Sequence, residues 1–167
     1  AASSLVPGDT NDATDLFLHD AVTGVTQLIA TGTGEVGISP DGRYVAFESS
    51  ANNLVAGDTN GVNDVFLYDR VQGTIERVNV SSTGVQANER SYLRYTMEDA
   101  PYAGMSPDGR YVTFVSYATN LVSGDTNGYW DVFVRDRWLG TTERVSLTYL
   151  GAQSNGDAHN PAISADG

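Results

Sequence analysis

The residues best suited to chemistry in this chain are the carboxylates and amides of a segment that occurs three times. D-T-N-x-x-x-D stands at Asp9/Asn11/Asp15, Asp58/Asn60/Asp64 and Asp125/Asn127/Asp131. Oxygen donors at the first, third and seventh places of a tight loop are part of the pattern that binds calcium, a hard cation that wants about 6–8 oxygens and a net negative cage. The match is partial, because the fifth place is Ala13, Val62 or Tyr129, which offers only a backbone carbonyl. Asp and Asn in such a loop also make Asx turns that cap the hairpin before a strand, which explains recurrence equally well. Calcium is thus the one ion the loops suggest, and no cofactor is required by the rest of the chain.

A second set of residues departs from the repetition. Asn88 to Gly104 reads NERSYLRYTMEDAPYAG and sets Arg90, Arg94, Glu98 and Asp99 among Tyr92, Tyr95 and Tyr102. Tyrosines with charged neighbours on a long loop suit a sugar or protein contact, since the rings supply area and the polar groups orientation; a solvated loop folded over a sheet edge is the plainer reading. Trp130 and Trp138 replace Asn63 and Val71 of the preceding copy, either as an exposed carbohydrate-binding pair or as packing between units. No catalytic constellation is complete. His19 and His159 stand alone, and Ser39 in G-I-S-P-D lacks the second glycine of a nucleophile elbow. The chain is therefore expected not to be an enzyme.

These residues must be held by short strands. LVxGDTN recurs at Leu5, Leu54 and Leu121, with 49 residues from Asp9 to Asp58 and 67 from Asp58 to Asp125, so one unit carries a loop insertion of 18. ISPDGRYVAF, MSPDGRYVTF and ISADG form a second recurring block, DLFLHD, DVFLYD and DVFVRD a third, and VTQLIA, IERVNV and TERVSL a fourth. Val45, Phe47 and Ser49 alternate with Tyr44, Ala46 and Glu48, and neither face is strictly polar, which suits strands buried on both sides between stacked sheets. Pro-Asp-Gly at 40–42 and 107–109 supplies a fixed φ, an Asx bond and a positive φ for a tight turn. In the best-preserved copy the strands are expected near 101–106, 110–116, 131–136 and 142–148. Arg77 and Arg144, with Glu76 and Glu143 beside them, are expected to pair across strands at a sheet's outer edge. Four antiparallel strands per unit is the signature of a β-propeller blade, so the fold class is all-β.

SPDGRYVAF followed by DTNGVNDVFLYD resembles the TolB-type, PD40 variety of WD40-like propeller repeat, in which an SPDG turn leads into one strand and a G-x-x-D-V-F strand follows. The resemblance covers nearly all of the chain and departs from the family at SSANNLVAGDTNG, longer than the usual connection. It implies a propeller and leaves function open, because such propellers serve as interaction domains, periplasmic components and companions of hydrolases or lyases.

The chain is one β-propeller segment, with copies near 1–34, 35–100 and 101–160 and the start of another at 161–167. That is about two and a half to three blades, an incomplete ring whose open sides need further blades of the same chain or further copies of itself. A formal charge of −12 argues against nucleic acid, no apolar run approaches the ~20 residues of a membrane span, and the absence of cysteine rules out disulfides. Composition points to an extracellular, cell-surface or periplasmic setting. The leading expectation is a non-catalytic module for protein or carbohydrate binding or assembly. An accessory propeller of a hydrolase or polysaccharide lyase, and a structural subunit polymerising through unfinished blades, are the alternatives.

Overall fold

The computed structural model describes Val6 and residues 14–94 and 104–167. Ten strands occur among these residues, with no helix: β1 (Leu16–Asp20), β2 (Val25–Ala30), β3 (Thr33–Ile38), β4 (Tyr44–Ser49), β5 (Asp64–Asp69), β6 (Thr74–Arg77), β7 (Ser91–Tyr92), β8 (Tyr111–Ser116), β9 (Asp131–Asp136) and β10 (Thr141–Arg144). They form a β1-β2 pair and two four-stranded sheets in the orders β3-β4-β5-β6 and β7-β8-β9-β10, every pairing antiparallel. Each four-stranded meander is a propeller blade, and no sheet closes on itself among the described residues.

The turns follow from their side chains. Ser39 Oγ donates to Asp41 at 2.6 Å, the same carboxylate accepts the Arg43 amide at 3.0 Å, and Gly42 takes φ 71° to close the bend. Ser106, Asp108 and Gly109 repeat the arrangement, and Ser164 and Asp166 repeat its serine–aspartate bond at 2.7 Å. At the β5–β6 hairpin, Asp69 accepts the amides of Val71 and Gln72, as Asp136 accepts those of Trp138 and Leu139.

Burial on both faces explains the lack of polar alternation in the central strands. All six residues of β4 and all six of β5 are buried. One side of this sheet packs Val45, Phe47, Phe66 and Tyr68 against Leu16 and Ala30 of the β1-β2 pair, with Phe47 and Phe66 stacked at 5.6 Å. The other packs Tyr44, Ala46, Val65, Leu67 and Val78 against Val112, Phe114 and Phe133 of the third sheet. Apolar burial between the sheets, about 25 cal/mol per Å2, is what holds them in a stack.

Two strand boundaries and the burial of two arginines differ from the sequence expectation. The innermost strand of the third sheet begins at Ser91, ahead of 101, runs through Ser91–Tyr92, and re-enters as a single bridge from Met105 to Val112. The long departure is thus an insertion within that strand, and its residues 95–103 lie outside the described ones. β10 ends at Arg144, short of 148, because the chain turns back and pairs Leu147 with Gln153. Arg77 and Arg144 stand on the edge strands β6 and β10 and pair across to Asp64 and Asp131, as expected, but their side chains are buried, only 7% and 9% exposed.

Candidate functional site

The DTN loops end in a buried charge cluster built from four stretches of chain. In the second unit Arg77 lies 3.2 Å from Asp58 and 3.4 Å from Asp64. Gln86 accepts from Arg77 and donates to Thr59 Oγ1 at 2.6 Å. Asn60 Nδ2 donates to both Asp64 oxygens at 3.1 Å and to the Ala87 carbonyl at 3.0 Å, while its Oδ1 accepts the Val62 amide. The third unit repeats this with Arg144, which sits 3.1 Å from Asp125 and 3.3 Å from Asp131, and with Gln153 and Asn127. Burial pushes the Asp64 carboxyl up, against the opposing pull of the Asn79 and Asn60 amides and Arg77. Burial likewise raises Asp125, opposed by Arg144.

This geometry decides what the loops can hold. The cation beside the two carboxylates is a guanidinium from the fourth strand, and the asparagine turns its NH2, a donor, toward the aspartate. The aspartates at the twelfth place, Asp69 and Asp136, stand at the far end of the strand, where Asp69 binds Arg43 and Asp136 binds Arg110. These second and third loops therefore do not fit a calcium ion, which would need oxygens where they present nitrogens. Among the described residues no group of three or more His, Cys, Asp or Glu stands ready to hold a metal ion. Asp9 and Asn11 lie outside the described residues; Asp15, within them, accepts the Gly32 amide at 3.3 Å. By register, Leu28 of the first unit occupies the place of Arg77 and Arg144.

The candidate contact residues separate. Tyr92 and Trp130 meet at 5.5 Å, and Tyr117 joins them at 5.6 Å, an aromatic cluster at one end of the third sheet with Trp130 buried. Trp138 stands at the other end, 65% exposed, with the Arg110 guanidinium 5.0 Å over its ring. At about 3.3 Å per strand residue the two indoles are on the order of 20 Å apart, so they form no pair around one sugar. Arg90 is exposed, and Arg94 pairs with Glu35 at 3.1 Å. Tyr95 and Tyr102 lie outside the described residues.

Two features escaped the sequence reading. Gln86 and Gln153 each lie 27 residues beyond the threonine they bind, a fixed offset in V-Q-A-N and A-Q-S-N that could have revealed them. Glu48, the one acidic residue among the apolar side chains of β4, is 4% exposed and accepts the Leu93 amide at 2.7 Å, which ties the second sheet to the third. Burial raises its carboxyl to about 7, against the pull of the Leu93 and Glu35 amides.

No family model matches the chain, and no curated protein does. Among solved structures it is similar to TolB from Acinetobacter baumannii, at 22% identity and TM-score 0.49, over 94% of this chain and 31% of that one. It is also similar to the β-propeller domain of the Trilobed protease from Pyrococcus furiosus, at 13% identity and TM-score 0.48, over 78% of this chain and 33% of that one. An acylaminoacyl peptidase from Pyrococcus horikoshii follows at 12% identity and TM-score 0.44, over 78% of this chain and 20% of that one. The chain thus spans a third or less of the length of these proteins.

Proposed function

We propose that this chain is a non-catalytic β-propeller module that holds a partner protein outside the cytoplasm. One observation carries the reading. The arginines that recur in the second and third units are paired within the chain, Arg77 and Arg144 in their clusters, Arg43 and Arg110 with Asp69 and Asp136, and Arg70 and Arg137 with Asp20 and Glu76. The third unit also leaves Trp138, Leu139, Tyr149 and Leu150 in water, 65%, 70%, 95% and 77% exposed, in the turns that follow β9 and β10. Their counterparts in the second unit by sequence spacing are Val71, Gln72, Ser82 and Thr83, so the scaffold does not require them. A net charge of −12, no cysteine and many small polar residues support a setting outside the cytoplasm.

Turnover assays with peptide and polysaccharide substrates test the reading. The purified chain is expected to convert none of them. A reaction abolished by one substitution in a single blade would replace the binding module with an enzyme. Fractionation of the producing cell tests the compartment, and recovery with cytoplasmic proteins would contradict it.

A further inference from the structure

We propose that the junction of the second and third sheets binds a small monovalent inorganic anion, chloride or an ion of its kind, between the guanidiniums of Arg135 and Arg137. Such a site goes beyond partner binding, because it lies between two sheets of the array and needs no other protein.

Arg135 is the residue that the repeat does not explain. On β9 it stands in the register of Tyr68 in the second unit and His19 in the first, so the scaffold asks for no cation there. Its Nη1 donates to the Gly140 carbonyl at 2.9 Å and Thr142 Oγ1 at 3.1 Å in its own hairpin, and to the Ser81 carbonyl of the second unit at 3.4 Å. All three partners are neutral and fall on one nitrogen. Among the described residues Nε and Nη2 find no acceptor. Seven other arginines stand in ion pairs and Arg135 does not. Burial pulls its pKa down, opposed only at a distance by Glu76 and Asp136. A half-buried cation without a counter-charge is costly, and the structure shows where one fits.

Both carboxylates that Arg135 feels are already engaged. Glu76 pairs with Arg137, and Asp136 with Arg110 at 2.6 Å. Three guanidiniums against two carboxylates leave one positive charge over. At this place a cavity of about 40 Å3 opens, lined by Glu76 and Arg77 of β6, Val78, Arg135 and Arg137. That exceeds the ~10–15 Å3 that one water requires, so a halide has room. Arg137 is fixed beside it: its guanidinium lies 5.2 Å over the Tyr44 ring and Nη1 donates to the Gly109 carbonyl at 2.5 Å. Two held donors and a surplus of one charge match a single monovalent anion. Water alone would satisfy the hydrogen bonds and leave the charge uncompensated. The chain's net charge of −12 opposes any anion, so half-saturation is expected on the order of millimolar.

Thermal unfolding of the full chain in sodium chloride, bromide or gluconate at equal ionic strength tests the site, gluconate being too large to enter it. Chloride and bromide should raise the Tm saturably, to about 3 °C above gluconate at ten times the half-saturating concentration. Arg135→Met should abolish the difference between the salts. Glu76→Gln, at a half-exposed position, removes a competing negative charge and should lower the half-saturating concentration about threefold or more. That second variant decides the matter where Arg135→Met does not fold. A Tm that is the same in all three salts, a difference that persists in Arg135→Met, or a half-saturating concentration that Glu76→Gln leaves unmoved overturns the proposal.

Discussion

The second and third sheets pair corresponding positions in the same register and bury them differently. Val65 and Val132 are identical residues at matching positions, each preceding a stacked phenylalanine, yet Val65 has no exposure and Val132 is only partly covered. The difference lies in the neighbour. A blade's own ladder and turns fix its strands, whereas its core is completed by the sheet that follows, so each unit is half the core of the next. Forces internal to a blade should therefore measure equal in the two sheets, and forces between blades unequal.

The strongest check concerns an internal force. Arg77→Leu leaves Asp58 and Asp64 buried without their cation and should cost about 3–5 kcal/mol in denaturant unfolding, and Arg144→Leu should cost the same within about 1 kcal/mol. Costs that differ severalfold would show that the clusters depend on the neighbouring sheet after all.

Glu48 belongs to the boundary between the sheets and has Val115 as its counterpart. Its folded-state carboxyl titrates near 7, above its unfolded value near 4.5, so the folded chain binds the extra proton between those limits. Stability should then fall as pH rises from about 4.5 to 7, by on the order of 3 kcal/mol, and level off above. Glu48→Gln should flatten that slope; an unchanged slope would remove Glu48 as its source.

Val65→Ala should cost about 2 kcal/mol through lost contact and a cavity, and Val132→Ala less than half as much. Equal costs would mean that the third sheet's face is already filled. The smallest effect expected is none: EDTA should leave the Tm unchanged, because guanidinium and amide groups occupy the described DTN loops. A chelator-induced drop would return a metal to the molecule.

Strands, turns and stacking were legible because their signals are local. Ser-Pro-Asp-Gly states its own turn, and Tyr44–Ser49 without polar alternation states burial on both faces. Arg77 was legible as a cross-strand partner on the edge strand, but its burial was not, because alternation along a strand tells which residues share a face and not what the opposite loop places there. The DTN aspartates could be read as calcium ligands or as caps for the same reason, since the guanidinium beside them arrives from 13 to 19 residues downstream. Trp130 and Trp138 looked like a pair because they are near in sequence, although a whole strand lies between them. The insertion after Tyr92 could be seen as extra residues; that it interrupts the innermost strand depends on a pairing to Val112 that no local pattern announces.

Arg137 reaching back onto Tyr44 and Glu76 gives the array a direction in time. A ribosome makes the tyrosine and carboxylate socket of each unit before it makes the guanidinium that fills it, as it makes Asp20 before Arg70. Each socket is thus synthesised before the arm that fills it, and because the following sheet completes its core, a unit settles only when its successor has emerged.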